Sequence, residues 1–110
     1  MTNREIALEY IRHFCAGDIE GLKPLLARNL KFSGTFHSFD SADEYLRSLK
    51  SDPPIKCQYR ILSITENTDS VALFYEYEKP NGVMQIAQLF KMSKLQIDEI
   101  LLVFDGRDNS

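Results

Sequence analysis

The stretch SVALFYEYEKPNGVMQIAQLFKM, residues 70–92, decides the fold of this chain. Apolar side chains recur at every second position on both sides of Pro80-Asn81-Gly82, which is a strong turn signal. Side chains alternate between the two faces of a strand. The pattern therefore predicts a hairpin of two antiparallel strands, Ser70 to Lys79 and Val83 to Met92.

Similar strand patterns flank this hairpin on both sides. One predicted strand, Ile55 to Glu66, comes before the hairpin and is separated from it by the polar turn 67–69. Another, Leu95 to Phe104, comes after the hairpin and a second short turn. Such short connections predict an antiparallel meander of four strands. In the first strand, the apolar positions change parity between Ile61 and Leu62, which predicts a β-bulge. Bulges bend long sheets, so we expect a curved sheet that leaves a concave cavity at its open end.

The N-terminal half has the periodicity of helices. A first helix is predicted from about Asn3 to Cys15, followed by a short second helix that Pro24 kinks or splits. Leu30 to Phe36 predicts a weak strand, and a third helix is expected from about Ala42 to Lys50. The predicted fold class is α+β, with three N-terminal helices packed on a curved antiparallel sheet in a single domain, 1–110.

Both faces of the predicted sheet carry apolar residues. The inner face, which the helices would cover, holds Val71, Leu73, Tyr75, Tyr77, Met84, Ile86, Gln88, Phe90 and Met92. The opposite face holds Ala72, Phe74, Ala87, Leu89, Leu101 and Val103. A solvated face would be more uniformly charged, so a second copy of the sheet is expected to cover it in a two-fold homodimer. The alternative is a scatter of ordinary surface apolar residues.

Composition limits the classes of partner. The chain has 110 residues, 44% apolar and 26% charged, with a net charge of −3, which argues against binding to nucleic acid or to anionic membranes. No run approaches the roughly 20 apolar residues of a membrane span, and the N-terminus lacks a secretion-signal pattern, so a cytoplasmic location is expected. Cys15 and Cys57 are expected to be reduced thiols there, with a disulfide as the alternative. No metal cluster or phosphate-binding loop is present, so no cofactor is expected.

Several residues are candidates for a binding or catalytic site. Gln88 is the only polar side chain on its predicted strand face, and Tyr10 on the first helix is positioned to point the same way. Two such donors in an apolar pocket can hold a carbonyl or enolate oxygen. The alternative is a purely structural role, in which the two side chains hydrogen-bond each other, the backbone or water. His37, and less so His13, are candidates for a general base. The ligand-binding residues predicted for the pocket are Tyr10, Phe14, Phe32, Tyr45, Tyr75, Gln88 and Phe104.

The segment from Tyr10 to Leu22, which contains Ala16-Gly17-Asp18, resembles the first-helix signature of the nuclear transport factor 2-like superfamily, in particular its SnoaL-like and ketosteroid-isomerase-like members. Ile100 to Asp105 resembles that family's last strand. The resemblance implies a cone-shaped α+β roll with a pocket at its mouth, often dimeric through the outer sheet face.

The isomerases of this family use a tyrosine on the first helix, an aspartate base and a second acid on a central strand. By resemblance, Tyr10 takes the tyrosine position, Gly34 the base position and Gln88 the second acid position. By this resemblance the tyrosine donor is kept as Tyr10, and the second acid is replaced by the neutral amide of Gln88. The base position holds Gly34, and His37 is the nearest substitute base.

Three functions follow from these observations. The first is a small homodimeric domain that binds an apolar or aromatic small molecule. The second is an isomerase, cyclase or dehydratase with Tyr10 and Gln88 as oxyanion donors and His37 as base. The third is a non-catalytic dimerisation module whose cavity is filled by its own side chains.

Overall fold

The computed structural model of this protein describes residues 1–104. The tail from Asp105 onward, expected to fray, lies outside the described residues. Helix α1 spans Asn3–Cys15, as predicted. It begins with a capping box, in which the Thr2 hydroxyl accepts from the Glu5 main-chain N–H and the Glu5 carboxylate accepts from the Thr2 N–H.

Pro24 splits the second helical segment, as predicted. Helix α2 covers only Ile19–Leu22, and a 3₁₀ turn, Lys23–Leu25, follows with the proline at its start. Strand β1 then runs from Leu26 to Ser33, so the predicted strand at Leu30 to Phe36 was placed too late. The physical reason is that proline ends the helix early and releases Leu26 into an extended conformation.

Strand β2 (Ser38–Phe39) pairs with β1 as a short hairpin that the sequence did not predict. Helix α3 follows at Ala42–Ser51, one residue longer than predicted. Strand β3 spans Tyr59–Glu66, so the predicted start at Ile55 was wrong. The segment before it instead follows the end of α1, where the Cys57 N–H donates to the Cys15 carbonyl at 3.0 Å.

The remaining strands are β4 (Ser70–Lys79), β5 (Gly82–Ser93) and β6 (Gln96–Phe104). The sheet order is β2-β1-β6-β5-β4-β3, in which β3 to β6 form the predicted antiparallel meander. The sheet is not purely antiparallel, because β1 pairs with β6 in parallel. The register of β3 against β4 shifts between Ile61 and Ser63, which confirms the predicted bulge.

The helices cover one face of the sheet and leave the other open. Ile6, Ala7 and Ile11 of α1 pack with Phe90 and Ile100 of the sheet in the buried core. On the opposite face, side chains of the central strands remain partly exposed, including Phe74 at 49%, Leu101 at 41% and Val103 at 62%. Within residues 1–104, no helix has both the length and the apolar character to cross a membrane.

Candidate functional site

A cavity of about 210 Å³ opens between the helices and the concave face of the sheet. Helices α1 and α3, the β1–β2 hairpin and strands β4 to β6 each contribute to its wall. All eight residues predicted for the site line this cavity: Tyr10, Phe14, Phe32, His37, Tyr45, Tyr75, Gln88 and Phe104. The wall is largely aromatic. Its buried polar side chains, which define what we call the inner end, are Tyr10, Tyr45, Tyr75 and Gln88.

The polar groups at the inner end form one hydrogen-bonded cluster. The Tyr75 hydroxyl donates to Oε1 of Gln88 at 2.7 Å. Tyr10 shares a hydrogen bond with the Tyr45 hydroxyl, and the Gln88 side chain is near enough to Tyr10 to lower its pKa. Every buried side-chain nitrogen and oxygen among the described residues has a partner. The amide that stood out in the sequence therefore has Tyr75 as its hydrogen-bond partner.

The hydrogen count of this cluster leaves a donor facing the cavity. Tyr10 and Tyr45 share one hydrogen bond, so only one of their two hydroxyl protons is used between them. Gln88 accepts from Tyr75, and its side chain lowers the pKa of Tyr10, which is the effect of an amide N–H directed towards the Tyr10 oxygen. One proton of the Tyr10–Tyr45 pair thus stays available to an acceptor atom that enters the cavity.

Burial keeps these hydroxyls protonated. Desolvation is the largest cause that raises the pKa of Tyr10, Tyr45 and Tyr75 above the ordinary tyrosine value, and it also raises the pKa of Tyr77. The hydrogen bonds from Tyr45 and Gln88 lower the pKa of Tyr10, but they do not offset its burial. At neutral pH the inner end of the cavity is a neutral hydrogen-bond donor and carries no tyrosinate charge.

Aromatic stacking fixes the side walls. Phe32 stacks on Tyr45 with ring centroids 4.7 Å apart and 17° between the planes. Tyr10 meets the buried ring of Phe90 edge-on at 5.1 Å and lies 6.1 Å from Phe14. Such contacts hold the hydroxyl-bearing rings in place, so the cluster is positioned before any ligand arrives.

The β1–β2 hairpin forms the mouth of the cavity. Its residues 34–37 are closed by a hydrogen bond from the Gly34 N–H to the His37 carbonyl at 2.8 Å. Phe36 is 67% exposed and packs edge-on against Phe104 at 5.6 Å. The exposed His37 ring stacks over Phe39 at 6.3 Å, and Phe39 in turn packs against Tyr45 at 5.7 Å, so His37 lies at the mouth with Phe39 next to it.

The structure places His13 outside the cavity. Its Nδ1 lies 2.9 Å from Asp18 and its Nε2 lies 3.3 Å from Glu9, at the C-terminal end of α1. Asp52 and Phe36 were not predicted and line the cavity with the residues named above. Asp52 lies outside the periodic segments, and Phe36 ends the predicted weak strand but lies beyond the observed end of β1 at Ser33. Among residues 1–104, no three histidine, cysteine or carboxylate side chains are grouped to hold a metal ion.

Replacing Gln88 by leucine is expected to cost about 1–3 kcal/mol of folding stability, because the buried Tyr75 hydroxyl would lose its acceptor. Urea denaturation of Gln88→Leu against the wild type measures this loss. The double variant Tyr75→Phe/Gln88→Leu is the matched control, because it removes both partners of the bond and should recover part of the loss. If the losses of the two single variants simply add, the two side chains are not coupled.

No family model matches the chain, and no curated protein sequence matches it. Solved structures match closely in fold. A nuclear transport factor 2-like protein of unknown function from Cytophaga hutchinsonii superposes with a TM-score of 0.83 at 21% identity, covering 97% of this chain and 93% of that one. A putative ketosteroid isomerase from Kribbella flavida gives 0.83 at 14% identity, covering 98% and 81%.

A SnoaL-like protein of unknown function from Burkholderia thailandensis gives a TM-score of 0.73 at 16% identity, covering 94% of each chain. These matches confirm the fold predicted from the sequence. At these identities the comparison establishes the nuclear transport factor 2-like fold alone.

Proposed function

We propose that this chain, which has the nuclear transport factor 2-like fold, binds a compact aromatic molecule with one hydrogen-bond acceptor oxygen. The observation that carries the proposal is the unshared hydroxyl proton of the Tyr10–Tyr45 pair at the inner end of an aromatic cavity. A ligand carbonyl at that position would accept this proton while its ring lies among the aromatic side chains.

The volume of the cavity sets the size of the ligand. Cavities of about 150 Å³ hold benzene, whereas pockets for drug-sized molecules enclose roughly 300–1,000 Å³. The cavity here, about 210 Å³, therefore fits one aromatic ring with a short substituent. A four-ring steroid is too large for it. The neutral donor cluster favours an uncharged ketone or aldehyde, since Asp52 at the wall would repel a carboxylate.

Acetophenone, which has one ring and one carbonyl, is the probe for this proposal, and ethylbenzene is its matched control without the acceptor oxygen. Ligand-observed NMR titration of the full chain is expected to show that acetophenone binds at least about tenfold more tightly, which corresponds to one hydrogen bond of about 1.4 kcal/mol. Equal affinity for the two probes would remove the role proposed for the hydroxyl proton.

A cavity-filling variant tests where the probe binds. Leu102 lines the cavity, so Leu102→Trp is expected to abolish acetophenone binding by occupying its volume. Val83→Trp is the control, because Val83 is exposed and lies on the opposite face of β5 from Met84, which faces inward. Thermal unfolding checks that both variants fold. Undiminished binding to Leu102→Trp would place the probe elsewhere and contradict the proposal.

Catalysis by Tyr10, Gln88 and His37 is the alternative for the same cavity. It requires His37 to act as a base close to the oxygen held by the tyrosines. The His37 ring is exposed at the mouth and lies on Phe39. No observation among the described residues favours this alternative over binding, so the proposal is confined to binding.

The outer face of the sheet is proposed to form a homodimer. Its apolar side chains form two rows of paired positions across the strands. One row contains Phe74, Ala87 and Val103, and the next contains Leu89 and Leu101. Two ion pairs flank these rows, Arg60–Glu76 at 2.8 Å and Lys91–Glu99 at 3.2 Å. An apolar centre with a charged rim is the usual anatomy of a protein interface.

The cellular setting proposed for this binding protein is the cytoplasm, with no nucleic-acid partner. The net charge of −3 argues against a general anion-binding surface. The free thiols of Cys15 and Cys57 fit a reducing compartment. The proposed binding uses only side chains of this chain and requires no cofactor.

A further inference from the structure

Two cysteines lie together where α1 ends and the chain turns towards β3. Cys15 is the last residue of α1 and is buried, whereas Cys57 is half-buried and lies two residues before β3. The Cys57 N–H donates to the Cys15 carbonyl at 3.0 Å, and the Cys57 thiol is near enough to be one of the causes that raise the pKa of Cys15. Both side chains are free thiols. The pair is separated by 42 positions in sequence, so the fold alone brings the thiols together.

The backbone brings the main chains of Cys15 and Cys57 into direct contact. A direct main-chain hydrogen bond keeps two Cα atoms close to the range of about 4.4–6.8 Å that disulfides span. The same segment also passes close to Gly17, because the Pro54 carbonyl lies 3.5 Å from the position that a Cβ on Gly17 would take. Gly17 has a φ of 72°, which turns the chain at the end of α1 and brings this segment alongside.

We propose that Cys15 and Cys57 form a reversible intramolecular disulfide by exchange with an oxidised small-molecule disulfide of the glutathione type. The half-buried Cys57 thiolate attacks one sulfur of the small disulfide, and one small thiolate leaves. The Cys15 thiolate then attacks the Cys57 sulfur, and the second small thiolate leaves. Two protein thiols are oxidised, one small disulfide is reduced, and the two protons pass to the released thiolates.

This disulfide would fasten α1 to the edge of the sheet beside the cavity. Phe14, next to Cys15, lines the cavity, and Tyr59, shortly after Cys57, pairs with the cavity residue Tyr77. A link that closes such a long loop restricts the unfolded chain strongly. Burial raises the pKa of Cys15 to about 12, so the second step is slow at neutral pH and faster in mildly alkaline buffer.

The test incubates the full chain with excess oxidised glutathione at mildly alkaline pH. Intact mass is expected to fall by two hydrogens without a retained adduct, and a non-reducing digest is expected to contain the Cys15 and Cys57 peptides joined. The oxidised protein should melt about 10 °C higher than the reduced protein. A dithiol reductant should reverse both changes. These readouts need no ligand, so they are independent of the proposed binding function.

Single-cysteine variants separate the internal bond from other oxidation. Cys57→Ser is expected to fold, because its side chain is half-buried, and to show no rise in melting temperature with oxidised glutathione. Cys15→Ala should instead retain a glutathione adduct on Cys57. If the wild type retains that adduct, or is linked only between chains, the proposal is overturned.

Discussion

Alkaline titration is expected to unfold the protein steeply, because three tyrosine hydroxyls ionise only after unfolding. Burial is the largest cause that raises the pKa of Tyr10, Tyr45 and Tyr75 above the ordinary value of 10.0. The unfolded chain ionises these groups at about pH 10, while the folded chain keeps them protonated. Their contribution to stability is therefore complete below about pH 10 and is lost as the pH rises towards the folded-state pKa values.

The size of this effect follows from the number of buried hydroxyls. Each tyrosine that ionises only in the unfolded chain removes about 1.4 kcal/mol of stability per pH unit, and three remove about 4 kcal/mol per unit. A domain typically has only about 5–15 kcal/mol in total, so about one to four pH units above 10 suffice to unfold it, the smaller value applying to the least stable domains. Urea denaturation followed by circular dichroism at a series of pH values measures the slope.

Two variants isolate the tyrosines from other alkaline effects. Tyr75→Phe should reduce the slope by about one third, whatever it does to stability at neutral pH. Phe90→Leu is the control, because it disturbs the same buried core without removing an ionisable group, and should leave the slope unchanged. If tyrosinate absorbance rises before the circular dichroism signal is lost, the hydroxyls ionise in the folded protein and the prediction is wrong.

Local chemistry explains which parts of the fold the sequence predicts. The alternation around Pro80-Asn81-Gly82 defines the β4–β5 hairpin because one residue of slip would move a whole apolar face into solvent. The parity change after Ile61 marks the bulge for the same reason. Gln88 was assigned to the inner face by counting alone. Its hydrogen-bond partner was left open by the sequence, and in the structure it is Tyr75 on the neighbouring strand β4.

The start and the pairing of the N-terminal strand β1 could not be predicted from the local sequence pattern. Leu26 has the spacing of a helical residue, but in the structure it pairs in parallel with Ile97, which is about 70 positions away. This pairing depends on the shape of the finished sheet, which no local pattern records. The cavity mouth has the same origin. Phe36 and Asp52 reach it from irregular segments, where periodicity gives no indication of side-chain direction.

Leu101→Asp is expected to convert the proposed homodimer into monomers. Leu101 lies on the outer face opposite Leu89, with Phe74 and Val103 in the adjoining row. In a two-fold interface the substitution places two carboxylates in an apolar contact. The nearby basic side chains of Arg60 and Lys91 are already paired with Glu76 and Glu99. An unpaired buried charge costs about 3–5 kcal/mol, so the dimer dissociation constant should rise at least about 100-fold.

Sedimentation velocity over a range of concentrations measures this change, and circular dichroism confirms that the variant folds. Leu95→Asp is the control, because Leu95 is 60% exposed in the β5–β6 turn beside Met1 and Ile6, away from the outer face. Its φ of 62° suits aspartate better than leucine, so the control carries no backbone cost. Since both variants add the same charge, only contact across the outer face predicts that they differ. If Leu101→Asp and Leu95→Asp sediment equally, the proposed dimer through the exposed rows of β4 to β6 is contradicted.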